Sequence, residues 1–198
     1  WNLGVAYSKQ FNKKIRQINF SIDGYHNKVR DKIIAVPFQN LFSWTMLNLG
    51  KTDTKGIDLT SEANGSLNSN WHWNIRLSYT FQKAIDITDV SSSRYKNRLP
   101  YTPDHSGNFT ILSDIKSWSA GYSLVFSGTR YALGENNPFN QLNGWGTQDL
   151  FLAKKFSLQL IKGSIKAELN NFTNLQYDVI RYYPMPGRSF KISLIIQP

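Results

Sequence analysis

Apolar residues in this chain recur at every second position, in short runs separated by polar stretches that hold most of its glycine and proline. The last run shows the rule best. After Pro184-Met185-Pro186-Gly187, residues Phe190, Ile192, Leu194 and Ile196 lie on one side of an extended chain, and Ser189, Lys191, Ser193 and Gln197 lie on the other. Such alternation sets one face of a strand against an apolar medium and the other against water or polar groups. Trp71, Trp73, Ile75, Leu77, Tyr79 and Phe81 repeat it, with His72, Asn74, Arg76, Ser78, Thr80 and Gln82 as their polar neighbours. Trp118, Ala120, Tyr122, Leu124 and Phe126 do so again, as do Ile165, Ala167 and Leu169. Weaker copies occur at Leu3/Val5/Tyr7, Ile18/Phe20/Ile22, Ile57/Leu59, Phe109/Ile111 and Leu150/Leu152. The pattern predicts about nine strands and no amphipathic helix of useful length.

The connections alternate as strictly as the residues. Those near Gln10–Lys13, Gly65–Asn70, Asp114–Ser117 and Ser157–Gly163 are short, and those near Lys28–Trp44, Ile85–Pro100, Thr129–Gly144 and Thr173–Tyr183 are long. A meander with tight turns at one end and long loops at the other is the plan of an outer-membrane β-barrel. Soluble sandwiches usually mix loop lengths at both ends. Aromatic residues cluster near strand ends, with Trp71, Trp73 and Trp118 after short turns and Tyr79 and Phe81 towards the far end. Rings with one apolar and one wet side suit the two membrane–water boundaries.

Composition narrows the choice further. An aromatic share of 14% beside abundant Ser, Asn, Thr and Gly favours β-structure over a helical bundle. The chain of 198 residues carries 23 Lys and Arg against 13 Asp and Glu, for a net charge of +10. Its basic residues are scattered, with no block of five like charges, which argues against a nucleic-acid partner. The absence of cysteine excludes disulfides, thiolate metal sites and a cysteine nucleophile. Asp23, Asp58, Glu62, Arg76, Lys166 and Glu168 fall on the polar face. That many charges suit a hydrated lumen better than the filled interior of a small barrel.

Two features point to a piece of something larger. The segment beginning at Trp1 already reads as a strand, as if cut from a longer chain. Bacterial barrels also normally have an even number of strands, so nine would be part of a bigger wall. A complete barrel of eight to ten strands, acting as a pore or adhesin, is one alternative. A soluble ligand-binding barrel or sandwich is another.

Several segments carry a family resemblance. Phe20 to Ile33 resembles a strand leading into a "KDKI"-type outer loop, and Leu47 to Leu59 the "N-x-G-x-x-x-x-x-G-x-[DE]" return strand. Leu99-Pro100-Tyr101-Thr102-Pro103-Asp104-His105-Ser106 is similar to a "P-x-x-P-x-H" strand entry. Leu169-Asn170-Asn171-Phe172-Thr173-Asn174-Leu175-Gln176-Tyr177, followed by Tyr183-Pro184-Met185-Pro186-Gly187-Arg188, is similar to a closing "N-[LF]-x-[ND]-x-x-Y…YP-x-PGR" element. These are motifs of TonB-dependent outer-membrane receptors, particularly those of Bacteroidetes-like bacteria. The resemblance implies that residues 1–198 are the C-terminal part of a plugged barrel of roughly 22 strands. It also implies uptake of a scarce nutrient chelate of siderophore, haem or cobalamin type, driven through TonB by an N-terminal part outside this chain. Pro198 departs from the aromatic residue that usually ends such barrels.

No enzymatic motif accompanies the pattern. His26, His72 and His105 are far apart and in no metal-binding spacing, and neither a nucleophile elbow nor a phosphate loop occurs. Neither a catalytic site nor a cofactor is expected. Asn64-Gly65-Ser66, Asn108-Phe109-Thr110 and Asn171-Phe172-Thr173 match the glycosylation sequon by chance. Ligand contacts belong in the long loops. Trp44, Arg94, Tyr95, Arg130, Tyr131, Asn136, Arg181, Tyr182 and Tyr183 combine aromatic platforms with donors for an anionic or conjugated ligand. Lipid and lipopolysaccharide are the expected surroundings, and two open sheet edges would make an isolated fragment self-associate. Gly187 is expected to lend the Pro184–Gly187 turn conformational freedom ahead of the last strand.

Overall fold

The protein is described from a computed structural model, over residues 1–11, 14–37, 44–48, 50–158 and 161–197. In chain order the elements are β1 (Asn2–Gln10), β2 (Ile15–Arg30), β3 (Ile33–Pro37), β4 (Trp44–Asn48), β5 (Lys51–Asn68), β6 (Trp71–Asp86), β7 (His105–Ile115) and β8 (Trp118–Ser127). They continue as β9 (Arg130–Tyr131), a 3-10 turn (Pro138–Asn140), β10 (Gln141–Leu142), β11 (Trp145–Leu158), β12 (Ile161–Asn170), β13 (Asp178–Ile180), β14 (Tyr183–Pro184) and β15 (Ser189–Gln197).

Nine strands form one sheet in the order β1-β2-β5-β6-β7-β8-β11-β12-β15, each antiparallel to the next. They are the nine runs that alternate in sequence. The sheet is open, with β1 and β15 as its edges, so the described strands do not close into a small barrel. Residues 69–70 join β5 to β6, and residues 116–117 join β7 to β8. The tips of the other short turns, at 12–13 and 159–160, lie outside the described residues.

The long connections leave from the opposite end, and three of them fold further. A β3–β4 hairpin occupies the first, which the sequence reads as a plain loop, and the pairs β9–β10 and β13–β14 occupy the third and fourth. Lys28–Arg30 also belongs to β2, beyond the expected end of that strand.

Register settles which residues share a face, because directly opposed residues point the same way. One row runs Ile18, Ala63, Ile75, Ile111, Tyr122, Leu150, Leu169 and Phe190. The next runs Ser8, Asn19, Glu62, Arg76, Thr110, Ser123 and Asp149. A slip of one residue anywhere would exchange the two, so the pleat itself fixes the alignment.

No protein layer covers the apolar face. Leu77 is 43% exposed, Leu152 49% and Ile192 76%. Among the described residues the buried apolar side chains, Ala84, Leu99, Pro100 and Ala132, belong to the outer end. A soluble sandwich would bury this face against a second sheet, and here lipid must cover it. From Trp71 to Phe81 the band takes about ten residue steps, or roughly 25 Å of height at the usual strand tilt.

Rings border the band at both ends. Beside the short turns, Trp71 and Trp118 share a row with Ile115. Trp71 Nε1 donates to Ser113 Oγ at 2.9 Å, and Lys154 Nζ lies 4.8 Å over the Trp118 ring. At the other border Tyr79, Phe81, His105 and Phe126 pack together, with the Tyr79 hydroxyl 2.7 Å from His105 Nδ1.

The two faces predict opposite responses to one substitution. Ile111→Arg, in the middle of the apolar band, should destabilise the folded barrel in lipid by about 2–4 kcal/mol. Thr110→Arg, one residue away on the wet face, should cost well under 1 kcal/mol by the surface norm. Urea unfolding in liposomes, followed by tryptophan fluorescence, compares them, and equal costs would contradict the assignment of faces.

Candidate ligand site in the outer loops

On the inner face two clusters of charges are paired. Arg76 Nη2 lies 3.1 Å from Glu62 Oε1, which also accepts from Asn74 Nδ2 at 2.8 Å. Thr80 Oγ1 donates to Asp58 Oδ1 at 2.7 Å, and Lys166 and Lys191 flank Glu168 at 2.7 and 3.6 Å. Lys166 Nζ also sits 4.6 Å over the Phe151 ring. This face is a hydrated wall.

The outer loops are braced by Arg130, although an arginine in a polar loop reads as a surface residue. Its side chain is 2% exposed. Nη1 donates to the Asn143 carbonyl at 3.1 Å, and Nη2 to the carbonyls of Val179, at 2.7 Å, and Asp178. One guanidinium therefore ties the β8–β11 loop to the β12–β15 loop. Burial lowers its pKa from the usual arginine value, against the pull of Tyr101 and Asp178. Burial likewise raises the Tyr101 phenol, opposed by Arg181 and Arg130.

The β6–β7 loop joins the same block. Tyr101 N donates to the Tyr131 carbonyl at 2.7 Å, and Arg98 N to Asn136 Oδ1 at 3.1 Å. Arg98 is paired with Asp104 at 2.6 Å and lies 5.8 Å from the Tyr131 ring centre. Tyr177 packs on Trp145 with ring centres 4.8 Å apart. Between the braced loops opens a cleft of about 380 Å³, lined in part by Asn143, Gln176, Tyr177 and Asp178.

Asparagines close the last loop. Asn171, 5% exposed with φ +47°, donates through Nδ2 to the carbonyls of Leu175, at 2.9 Å, and Pro186, at 3.2 Å. Its Oδ1 accepts from Leu175 N at 3.0 Å, and its own N–H reaches Asp149 Oδ1 at 2.7 Å. Asn174 Oδ1 takes the Arg188 N–H at 2.9 Å. Gly187 is not in the left-handed region, so conformational freedom is not its use. A Cβ there would stand 2.8 Å from Asn174 Oδ1, so the residue is small to leave room for that carbonyl.

The expected ligand residues separate accordingly. Arg130 and Asn136 work inside the block. Arg94 is exposed and packs its chain against Gly134, while Tyr95 is half-buried with Lys96 5.4 Å over its ring. Tyr131 and Tyr183 are half-buried in β9 and β14. Arg181 donates to Asn140 Oδ1 at 3.4 Å and stacks 5.0 Å over Tyr182. Tyr182 is 63% exposed at φ +67°, a strained backbone for a bulky residue. Trp44 pairs with Pro37 in the β3–β4 hairpin.

Sequence reasoning missed Tyr101, Asn140, Tyr177 and Asp178. Tyr101 lay inside the Pro100–Pro103 strand entry and Tyr177 inside the closing element, where each read as part of a motif. The histidines are hydrogen-bonded locally, His26 to Asp53, His72 to Ser66 and His105 to Tyr79.

A lipid-facing meander, wet inside, with short turns at one end and braced loops at the other, is a wall of an outer-membrane β-barrel. Residues 1–172 match the model of the TonB dependent receptor-like, beta-barrel family, and the chain belongs to that family. Its place is the outer membrane. Comparison with curated protein sequences gives no match. Among solved structures it is similar to the siderophore receptor PiuA from Acinetobacter baumannii, with a TM-score of 0.70 at 15% identity over 98% of this chain and 28% of that one. BauA, the ferric preacinetobactin receptor of the same organism, gives 0.67 at 14% over 98% and 28%. The ferric-catecholate import receptor Fiu from E. coli K12 gives 0.66 at 18% over 99% and 27%. The chain thus spans less than a third of these receptors, and at such identity the likeness concerns the fold.

Arg130→Met should loosen the loops without unfolding the wall. Losing the bonds to three carbonyls should cost roughly 3 kcal/mol locally. Trypsin should then cut at Arg181 and Arg188 at least ten times faster, with the heat-modifiable gel shift of the barrel retained. Unchanged cleavage would show that Arg130 is not the brace.

Proposed function

We propose that residues 1–198 form the C-terminal wall of a TonB-dependent receptor that imports a scarce nutrient chelate of siderophore, haem or cobalamin type. The braced loop block above a hydrated wall is the observation that carries this reading. Loops held by Arg130, Tyr101 and Asn171 present Arg94, Tyr95, Arg181 and Tyr182 without having to be ordered by the ligand, which limits the entropy cost of binding. Cationic and aromatic side chains there suit an anionic, conjugated chelate. Strain at an exposed aromatic residue, as at Tyr182, is a common mark of a functional position. Tyr131, Tyr183 and Trp44 complete the contact set, with Arg130 and Asn136 positioning the others.

In this reading the chelate is captured outside and then passes along the polar rows once a plug moves. Plug and TonB contact belong to a part outside this chain. The siderophore and ferric-chelate receptors among the structural neighbours favour a ferric chelate within the class. Cut from that receptor, the segment should self-associate through the bare edges of β1 and β15.

Equilibrium binding of ferric siderophores, haemin and cobalamin to the intact receptor tests the proposal, together with uptake by cells with and without TonB. One ligand should bind in the micromolar range or tighter and enter only with TonB. Arg181→Ala and Tyr182→Ala should each weaken it about tenfold, the weight of one charge-assisted contact. TonB-independent passage of small solutes without saturable binding would favour a pore instead.

A further inference from the structure

Above the apolar band, the outward positions of β2, β5 and β6 turn from apolar to cationic in one step. The last apolar row on that face is Gly24, Ile57 and Phe81. The next is His26, Lys55 and Lys83, followed by Lys28, Asp53 and Ile85, and then Arg30 opposite Lys51. Lys55 and Lys83 are thus directly opposed, as are Arg30 and Lys51. Like charges directly opposite across strands destabilise a sheet unless something neutralises them.

Among the described residues nothing does. Lys28, Arg30, Lys51, Lys55 and Lys83 are all exposed, and among the described residues none has an ion-pair partner. Asp53, the single acid in these rows, is taken up by His26 at 2.8 Å. Nor is the arrangement general to the wall. The outermost outward positions of β7, β8 and β11 are His105, Phe126 and Gly146, with Gln148 below.

These side chains point away from the lumen, so an imported ligand would not meet them. They begin where hydrocarbon ends, at the depth of the outer-leaflet headgroups. Cations at that level meet anionic lipid, and on this side of the outer membrane the anionic headgroups are those of lipopolysaccharide. We propose that the outward flank of β2, β5 and β6 is a binding site for phosphate groups of lipopolysaccharide, with Lys28, Arg30, Lys51, Lys55 and Lys83 as its donors. The phosphates offset the repulsion between opposed cations, and the lipid in turn covers the long strands where they rise out of the bilayer. The inference uses the outer-membrane placement and is independent of which chelate is imported.

The test is lipopolysaccharide retained by the intact receptor through detergent purification, quantified by mass spectrometry. A K28Q/K55Q/K83Q variant is compared with a charge-matched K14Q/R16Q/K154Q variant altered at the short-turn end. The first should keep a tenth or less of the wild-type lipid and the second should keep most of it. Added lipopolysaccharide should restore the wild type's complement, and the same lipid with its phosphates removed should not. Equal retention by both variants, or equal loss, would overturn the site, as would full binding of dephosphorylated lipid. If the triple variant fails to show the heat-modifiable shift, the single variants K55Q and K83Q are read instead, each expected to lose severalfold. Chelate binding by the variants should stay unchanged, so failure of the import reading would leave this result standing.

Discussion

Everything in this molecule depends on one unbroken ladder of backbone hydrogen bonds. Inside a bilayer no water is available to satisfy a peptide N–H or C=O, so each strand must find its partners in the next. The nine-stranded order meets that requirement, each strand of the sheet pairing with the sheet strands before and after it in the chain. It also fixes the faces. Once the ladder is in register, Ile75, Ile111 and Leu150 must look outwards, and Arg76, Thr110 and Asp149 must look inwards. The solvent on each side then selects the residue types.

The outer end obeys a different economy. Beyond the band both faces of β2, β5 and β6 are wet, and the apolar contrast between faces gives way, leaving a small buried pair, Ala84 and Leu99. What replaces it is a set of side-chain ties to backbone carbonyls, in which Arg130 and Asn171 do the work that a hydrophobic core does elsewhere. A fixed loop block on a fixed wall gives a receptor a stable outer surface, and leaves movement to parts that are not so tied.

The same change of economy explains what could be read from sequence. Strands such as β6 and β15 were legible because their two faces meet different media and the residues alternate accordingly. The outer half of β2, from Tyr25 to Arg30, was not, since polar residues on both faces leave no period to detect. The β3–β4 hairpin escaped notice because its strands, Ile33–Pro37 and Trp44–Asn48, do not alternate and lie inside a long loop. For the site, aromatic and basic loop residues were found by type. Their division into exposed and bracing members was not, because a buried arginine such as Arg130 is recognised by the carbonyls that converge on it, and these come from distant parts of the chain.

The asparagine closure of the last loop bears on assembly as well as on stability. Residues 171–188 separate β12 from β15, long enough for the final strand to arrive in several alignments. Asn171 bridges the two ends of that segment, touching Leu175 near its start and Pro186 near its finish. With the loop so tied, β15 is delivered beside β12 in one alignment, and the same contacts that close the loop set the strand's register. The amides of Asn171 and Asn174 thus act as a gauge for the last strand, and through its register they fix which of its faces meets lipid.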